Sequence, residues 1–130
     1  MIAVDTNVVL RLLVRDDEAQ YRTAEQLRKR GPLFVSTGVI METEWALRTT
    51  FELDRSAVAD SLSILIQSPD FRIEDAANVA WALERHRDGA DFADMLHLTA
   101  AAGSAAFATF DRKLARQAGP DTPVPVESLS

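Results

Sequence analysis

Four acidic residues lie where carboxylates could act together in catalysis: Asp5, Glu42, Asp94 and Asp111. Asp5 directly follows the apolar residues 2–4, and Asp111 closes the segment AAFATF. Carboxylates gathered in one place are hard oxygen ligands of the kind that Mg²⁺ and Mn²⁺ prefer. Such an ion can activate water against a phosphodiester. We therefore expect the four acids to converge on a divalent metal ion.

Asp5 and Asp111 also have a simpler interpretation. Each follows a predicted strand and precedes a predicted helix, where an aspartate often caps the helix N-terminus. Thr6 and Asn7 come next after Asp5, and they either contact the site or substrate or hydrogen-bond locally within the turn. In parallel α/β sheets, however, ligands bind beyond the carboxyl ends of strands, which favours a functional role for both aspartates.

Glu42 and Glu44 lie two residues apart on one predicted helix, about 200° around its axis, so only one can face the site. Glu44 has Arg48 four residues later, the spacing of an exposed ion pair. Glu42 has Val39 and Trp45 three residues away on either side, which predicts a largely apolar surrounding. A carboxylate there needs a partner such as a metal ion. We prefer Glu42 as the site residue.

Asp91 and Asp94 begin an alanine-rich helix and share one face at a spacing of three residues. Both could serve the helix alone, because acids in the first turn interact favourably with its dipole. We assign Asp91 to the cap, with a possible outer role at the site, and Asp94 to the metal.

The remaining polar and aromatic candidates carry weaker signals. Trp45 and Trp81 are predicted in the core, and His86, within a charged run, on the surface. His97 follows Asp94 by three residues, roughly on the same helix face, and is predicted to be a hydrogen-bonded structural histidine, with a contact to substrate or to a site residue as the alternative. Three basic residues that follow Asp111 are candidates to contact substrate phosphates: Arg112, Lys113 and Arg116.

The hydrophobic pattern predicts alternating strands and helices that would position these residues. Strands are expected at residues 2–4, 33–36, 71–73, 106–110 and 124–126. Helices are expected at residues 7–14, 16–30, 37–51, 56–66, 74–87, 92–102 and 112–117. This order predicts an α/β fold: a three-layer α/β/α domain with a central parallel sheet of about five short strands.

The composition limits the possible function classes. A chain of 130 residues, 47% of them hydrophobic, fits a single domain over residues 1–130. The absence of cysteine excludes disulfides, thiolate zinc sites and cysteine nucleophiles. No signal peptide or membrane span is recognised, so we expect a cytoplasmic protein. The net charge of −6 weighs against nucleic-acid binding, but four carboxylates bound to metal would account for much of it.

Four segments together resemble the PIN-domain family, and in particular VapC toxins of bacterial toxin–antitoxin pairs. They are Val4-Asp5-Thr6-Asn7, Glu42 followed by Trp45-Ala46-Leu47, Asp91-Phe92-Ala93-Asp94, and Ala108-Thr109-Phe110-Asp111. The resemblance covers essentially the whole chain. It departs at Phe110, where relatives often carry a polar residue.

The resemblance implies a ribonuclease that depends on Mg²⁺ or Mn²⁺, forms a homodimer and is inhibited by a small cognate antitoxin. It matches Asp5, Glu42, Asp94 and Asp111 to the metal-binding acids of the family, and Thr109 to a position that supports the site. A haloacid-dehalogenase-like phosphatase is disfavoured because Asn7 stands where that family has its second aspartate. A PIN-like binding module without turnover is the alternative from another class.

Overall fold

A computed structural model describes all residues, 1–130, as an α/β protein with five short strands and seven helices. The strands are β1 (Ile2–Ala3), β2 (Leu33–Val35), β3 (Phe71–Ile73), β4 (Phe107–Thr109) and β5 (Val126–Ser128). The helices are α1 (Thr6–Leu13), α2 (Glu18–Arg28), α3 (Thr37–Thr49), α4 (Arg55–Gln67), α5 (Ala76–Arg87), α6 (Phe92–Ala100) and α7 (Leu114–Ala118).

All strand pairs are parallel, as the alternation of strands and helices predicts. β2 pairs with β1 on one side and with β3 on the other, and β4 pairs with β5. The α/β class and the parallel pairing are confirmed. The five strands nevertheless form a three-stranded and a two-stranded sheet rather than one hydrogen-bonded sheet. Strands of two or three residues carry too little periodicity for a sequence to specify which pairs hydrogen-bond.

The starts of the helices follow simple capping chemistry. Four helices are preceded by an aspartate whose side chain accepts a backbone N–H from the first turn, and α3 is preceded by a serine that does the same. Each cap satisfies an N–H group that has no partner inside the helix. The capping residues are Asp5, Asp17, Ser36, Asp54 and Asp91.

The chain divides into two compact units, unit 1 (residues 1–76) and unit 2 (residues 77–130). Unit 1 holds the three-stranded sheet, and its fully buried side chains come from β2, α3 and α4 and, at Val9, from α1. They include Leu33, Val35, Ile40, Leu47, Val58, Leu62 and Leu65. The helical spacing of α4 predicts that Val58, Leu62, Leu65 and Ile66 point inward; the first three are buried, and Ile66 is half-buried. The assignment of the chain to a single domain stays a prediction.

Unit 2 holds the two-stranded sheet, and its buried residues come mainly from α5 and α6. The helical spacing of α5 predicts that Val79, Ala82 and Leu83 point inward, and all three are buried. The prediction of a surface position for His86 is wrong: it is 2% exposed, and its ring lies edge-on to Phe92 with centroids 6.0 Å apart. The charged neighbours Arg85 and Arg87 concealed that His86 shares the helix face of Val79 and Leu83, seven and three residues earlier.

A second correction concerns the two tryptophans, which were predicted to lie in the core. Trp81 is half-buried, but Trp45 is 56% exposed. The buried face of α3 is formed instead by residues that include Thr43, Ala46 and Leu47. None of the helices combines the length and the hydrophobicity that a membrane span requires.

Candidate active site

In unit 1, the turn between β1 and α1 positions two of the predicted site residues. Asp5 lies two residues beyond β1 and caps α1, with its Oδ1 accepting the Val8 N–H at 3.1 Å. Thr6 begins α1 and is buried, and its hydroxyl donates a hydrogen bond to Glu42 Oε1 on α3. The predicted cap at Asp5 is therefore present. It occupies one carboxylate oxygen and leaves acceptor capacity on the group.

The neighbouring glutamates of α3 have the opposite environments from those expected. Glu44 is 3% exposed, and its Oε2 accepts from Arg48 Nε at 2.9 Å, so the predicted ion pair exists on a buried carboxylate. Glu42, predicted on an apolar stripe, is exposed. The apolar surrounding predicted for Glu42 is therefore wrong. Its contact with Thr6 and its exposure now support the same choice, because a ligand must be able to reach the carboxylate.

Asp5 and Glu42 open onto one cavity of about 330 Å³, which we call the acid cavity. The carboxylates of Asp5 and Glu42 and the Thr6 hydroxyl line the same cavity. Oxygen atoms that could bind a metal ion are therefore present both at the start of α1 and on α3. The exposed ring of Trp45 lies on the Glu42 side, three residues further along α3. The cavity is lined by Asp5, Thr6, Asn7, Leu10, Arg11, Glu42, Trp45, Ala46, Thr50 and Phe51.

In unit 2, acidic side chains gather at the start of α6. Asp91 caps the helix by accepting the Asp94 N–H at 2.9 Å, as predicted. Asp94 itself is half-buried. Burial raises the pKa of its carboxyl, the negative charges of Asp91 and Asp111 raise it further, and His97 opposes them. Ionised Asp94 therefore lies in surroundings where a cation would be stabilising. His97 is exposed, and its role as a hydrogen-bonded structural histidine stays a prediction.

Asp111 lies two residues beyond β4, the same relation that Asp5 has to β1. Its backbone N–H donates to Thr109 Oγ1 at 3.0 Å, and its Oδ1 accepts the Lys113 N–H at 2.9 Å. Thr109 therefore holds the turn that presents Asp111, through its hydroxyl. The intervening Phe110 is 74% exposed, and Arg112 is also exposed.

The structure thus sorts the four predicted acids into two groups. Asp5 and Glu42 share the acid cavity of unit 1, together with Thr6 and Asn7. In unit 2, Asp94 lies within electrostatic reach of Asp111. Within neither unit do three histidine, aspartate or glutamate side chains come close enough together to form a metal-binding group. The joint role of the four acids stays a prediction.

Arg11 is a site residue that the sequence reasoning missed. It lines the acid cavity with Asp5 and Asn7, and its Nη1 donates to Asp16 Oδ1. Its Nε is buried without a hydrogen-bond partner. The available signal was spacing: Arg11 follows Asn7 by four residues and therefore shares its helix face.

A family model described as PIN domain matches residues 2–120, nearly the whole chain. The chain belongs to the PIN-domain family. PIN domains are generally nucleases that use divalent metal ions. Searches of curated proteins and of solved structures found no match.

The donor chemistry of this PIN domain fits a divalent ion of the magnesium type. Carboxylate oxygens of Asp5 and Glu42 face the acid cavity of unit 1. The half-buried Asp94 of unit 2 has two carboxylate neighbours that disfavour its ionised form. No cysteine is present, so the available ligands are the oxygen donors that hard cations prefer.

Proposed function

We propose that this PIN domain is an endoribonuclease that hydrolyses RNA phosphodiester bonds with Mg²⁺ or Mn²⁺. The observation that carries the proposal is the acid cavity, where Asp5 and Glu42 stand beside an exposed tryptophan in a nuclease family. The proposed metal-binding acids are Asp5, Glu42, Asp94 and Asp111. The resemblance of their four sequence segments to VapC proteins supports this set.

The residues of unit 1 have separate tasks in this proposal. Thr6 holds the Glu42 carboxylate through its hydroxyl, and the Val8 N–H holds that of Asp5. When bound, Mg²⁺ or Mn²⁺ supplies Lewis-acid activation of water and neutralises charge at the phosphate. The carboxylates position the ion and do not act as nucleophiles. Asn7 faces the cavity and can donate an amide hydrogen bond to a phosphate oxygen.

The residues of unit 2 complete the proposed set. Among the proposed ligands, Asp94 is the one whose ionised carboxylate is least favourable without a metal ion, because burial and two negative neighbours oppose its ionisation. Asp91 fixes the start of α6 beneath it, and Thr109 shapes the turn before Asp111. Arg112 follows Asp111 directly and is exposed, as a contact to an RNA phosphate must be.

RNA is the proposed substrate because the acid cavity offers an aromatic surface. Proteins that read RNA commonly stack unpaired bases on exposed aromatic rings, and each such stack contributes about 1–3 kcal/mol. Trp45 is exposed and lies three residues from Glu42 on α3, so a base stacked on it would hold the adjoining backbone near the carboxylates.

The test is a cleavage assay on purified protein without any partner. Mixed structured RNAs and matched DNA are incubated with Mg²⁺, Mn²⁺, Ca²⁺ or EDTA, and the ends of the products are sequenced. We expect internal cuts in RNA with Mg²⁺ or Mn²⁺ and none in EDTA. Cleavage that persists in EDTA, or intact RNA under every condition, would refute the proposal.

We further propose that the protein is the toxin of a type II toxin–antitoxin pair, acts as a homodimer and is inhibited by a small antitoxin. The resemblance to VapC at the four acidic segments supports this role. Induced expression should arrest bacterial growth, whereas a Glu42→Gln variant should not. Light scattering of the purified protein should give twice the chain mass of 14.3 kDa. Normal growth with active ribonuclease present would exclude the toxin role alone.

A further inference from the structure

A second cavity in unit 1 lies between α1 and α2 and has a volume of about 680 Å³. We call it the α1–α2 groove. Its α2 wall is a helical stripe that contains Gln20, Thr23 and Leu27, at spacings of three and four residues. From Gln20 to Leu27 this helical wall extends about 10 Å at 1.5 Å per residue, and Arg30 lies just beyond it, two residues after the end of α2. The groove is therefore a channel long enough for more than one nucleotide.

The charges in the groove differ from those of the chain as a whole. The protein carries a net charge of −6, yet the groove is lined by two arginines, Arg11 and Arg30, and one acid, Asp5. Among the arginines of this region, Arg11 pairs with Asp16, and Arg15 and Arg22 both pair with Glu18, so Arg30 is the lining arginine without an ion pair. The lining of the groove is thus less acidic than the chain as a whole, and its unpaired positive charge is that of Arg30.

The two groove arginines keep hydrogen-bond donors available. Arg30 is exposed and forms no ion pair. Arg11 donates Nη1 to Asp16, while its Nε has no partner. A guanidinium has five N–H donors in a planar arrangement that suits phosphate oxygens. Arg30 can therefore bind a phosphate without first giving up an internal partner, whereas the Nε of Arg11 is buried and Arg11 can do so only through the Nη donors that Asp16 leaves unoccupied.

Amide side chains give the groove a second kind of contact. Gln20 and Gln26 both line it, and both are exposed. An amide presents a donor and an acceptor side by side, which matches the edges of unpaired bases. Leu27 adds an apolar surface between them. The combination of phosphate contacts and base-edge contacts is typical of single-stranded RNA sites.

The groove is continuous with the acid cavity. Asp5, Asn7 and Arg11 line both spaces, so a strand lying in the groove reaches Asp5 without leaving the surface of unit 1. Because the four-residue spacing of Asn7 and Arg11 sets both on one face of α1, this helix forms the common wall.

We propose that the α1–α2 groove binds the single-stranded RNA segment next to the cleaved phosphodiester. Arg11 and Arg30 hold backbone phosphates, and Gln20 and Gln26 contact base edges. The inference rests on the proposed ribonuclease function for its substrate, and it assigns the groove as the place where part of the cut-site preference arises.

The experiment measures binding of a fluorescein-labelled 12-nucleotide single-stranded RNA of mixed sequence by anisotropy, in EDTA to prevent metal-dependent cleavage. Arg30→Gln should weaken binding about three- to tenfold and lower the slope of log affinity against log salt by about 0.7, as for one lost phosphate contact. Arg22→Gln is the matched control: it changes an exposed arginine of α2 outside the groove and should leave both values unchanged.

A second measurement separates this inference from the proposed function. Gln26→Ala should redistribute the cut sites in mixed RNA under Mg²⁺ while circular dichroism stays as in the wild type. If the wild type cleaves RNA but Arg30→Gln and Gln26→Ala match it in affinity, salt slope and cut sites, the inference fails, the ribonuclease function stands and the groove is left to a protein partner. If the wild type cleaves no RNA yet binds it through Arg30, the function fails and the RNA site stands.

Discussion

The acidic groups of the two units are built in different ways. In unit 1, Glu42 accepts a hydrogen bond from the Thr6 hydroxyl, and Asp5 accepts one from the Val8 N–H. In unit 2, Asp94 is half-buried beside the charges of Asp91 and Asp111. The first group has donors that satisfy its carboxylates in the free protein, whereas Asp94 has neighbours that disfavour its charge.

This contrast shows that two different environments can favour the binding of a cation by a carboxylate. Hydrogen-bond donors fix the carboxylate oxygens in place, and like charges make the free anion unfavourable. The first route provides geometry, and the second provides a free-energy gain when a cation arrives. A substitution should therefore have different effects on stability in the two units even where its effect on activity is similar.

Asp94→Asn should have the largest effect. We expect metal-dependent RNA cleavage to fall more than about 100-fold, beyond the range typical of residues that only support a metal ligand. Because the pKa of the Asp94 carboxyl is raised in the folded protein, its ionised form is destabilising at neutral pH, and asparagine should raise the melting temperature of the metal-free protein.

Cleavage rates measured with Mg²⁺ test the effect on activity, and thermal melts in EDTA test the effect on stability. Asp121→Asn, an exposed aspartate of the same unit, is the control and should change neither. A lower melting temperature for Asp94→Asn would contradict the contrast between the units, and unchanged cleavage would remove Asp94 from the site.

The pair Glu42→Gln and Glu44→Gln should separate activity from stability within unit 1. Glu42→Gln should lower cleavage about 100-fold with little change in melting, because Glu42 is exposed. Glu44→Gln should keep activity but reduce stability by on the order of 1 kcal/mol, since it weakens a pair whose carboxylate is buried while Arg48 stays half exposed. Urea unfolding and initial rates measure the two effects, and the reverse pattern would assign the site to Glu44.

Trp45→Ala should raise KM for RNA on the order of tenfold, as expected for the loss of one base stack, and should leave kcat nearly unchanged. Stability should change little because the ring is 56% exposed. Ile64→Ala, which removes an exposed apolar side chain of α4 in the same unit, is the control. Equal KM values for all three proteins would show that no base stacks on Trp45.

Glu74→Gln should have the smallest effect, and its pH dependence should be opposite in sign to that of Asp94. The Glu74 carboxylate accepts the Thr37 N–H at 2.8 Å, which lowers the pKa of Glu74. A lowered pKa stabilises the folded protein above the ordinary range near pH 4.3, and this contribution is lost as the pH falls through the folded value.

Melting curves from pH 3 to pH 7 test the sign. The wild type should exceed Glu74→Gln in stability at pH 7 and lose that advantage towards pH 3. Asp94→Asn should be more stable than the wild type at pH 7, and that difference should shrink at low pH. The raised pKa means that the ionised carboxyl destabilises the folded protein, and this penalty is absent when the carboxyl is protonated. Parallel trends would mean that the two carboxylates share one kind of environment.

Much of the fold could be predicted because long helices have a clear hydrophobic periodicity and several are preceded by a capping aspartate or serine. The bounds of β3 match the prediction, three of the four residues predicted to point inward on α4 are buried, and Asp91 caps α6 as expected. The pairing of β4 and β5 as a separate sheet could not be predicted, since hydrogen-bond partners of such short strands depend on tertiary packing.

The site was harder to predict than the fold. Helical spacing shows which residues share a face of a helix, but it does not show which face is buried. On α3, the same spacing that grouped Glu42 with Trp45 was interpreted as a core stripe, and both residues are exposed. Arg11 was missed because its four-residue spacing from Asn7 does not tell which face of α1 borders a cavity. Its role became visible only when the two cavities that it lines were located.

The hydrogen bond from Thr6 to Glu42 has a consequence for conformational entropy. Immobilising a glutamate side chain removes rotamer freedom equivalent to about 1.5–2 kcal/mol. Thr6 already restricts Glu42 in the folded protein, so part of that loss accompanies folding rather than ligand binding. A cation reaching the acid cavity therefore meets a preorganised carboxylate, and its affinity depends on a methyl-bearing hydroxyl residue that never needs to touch it.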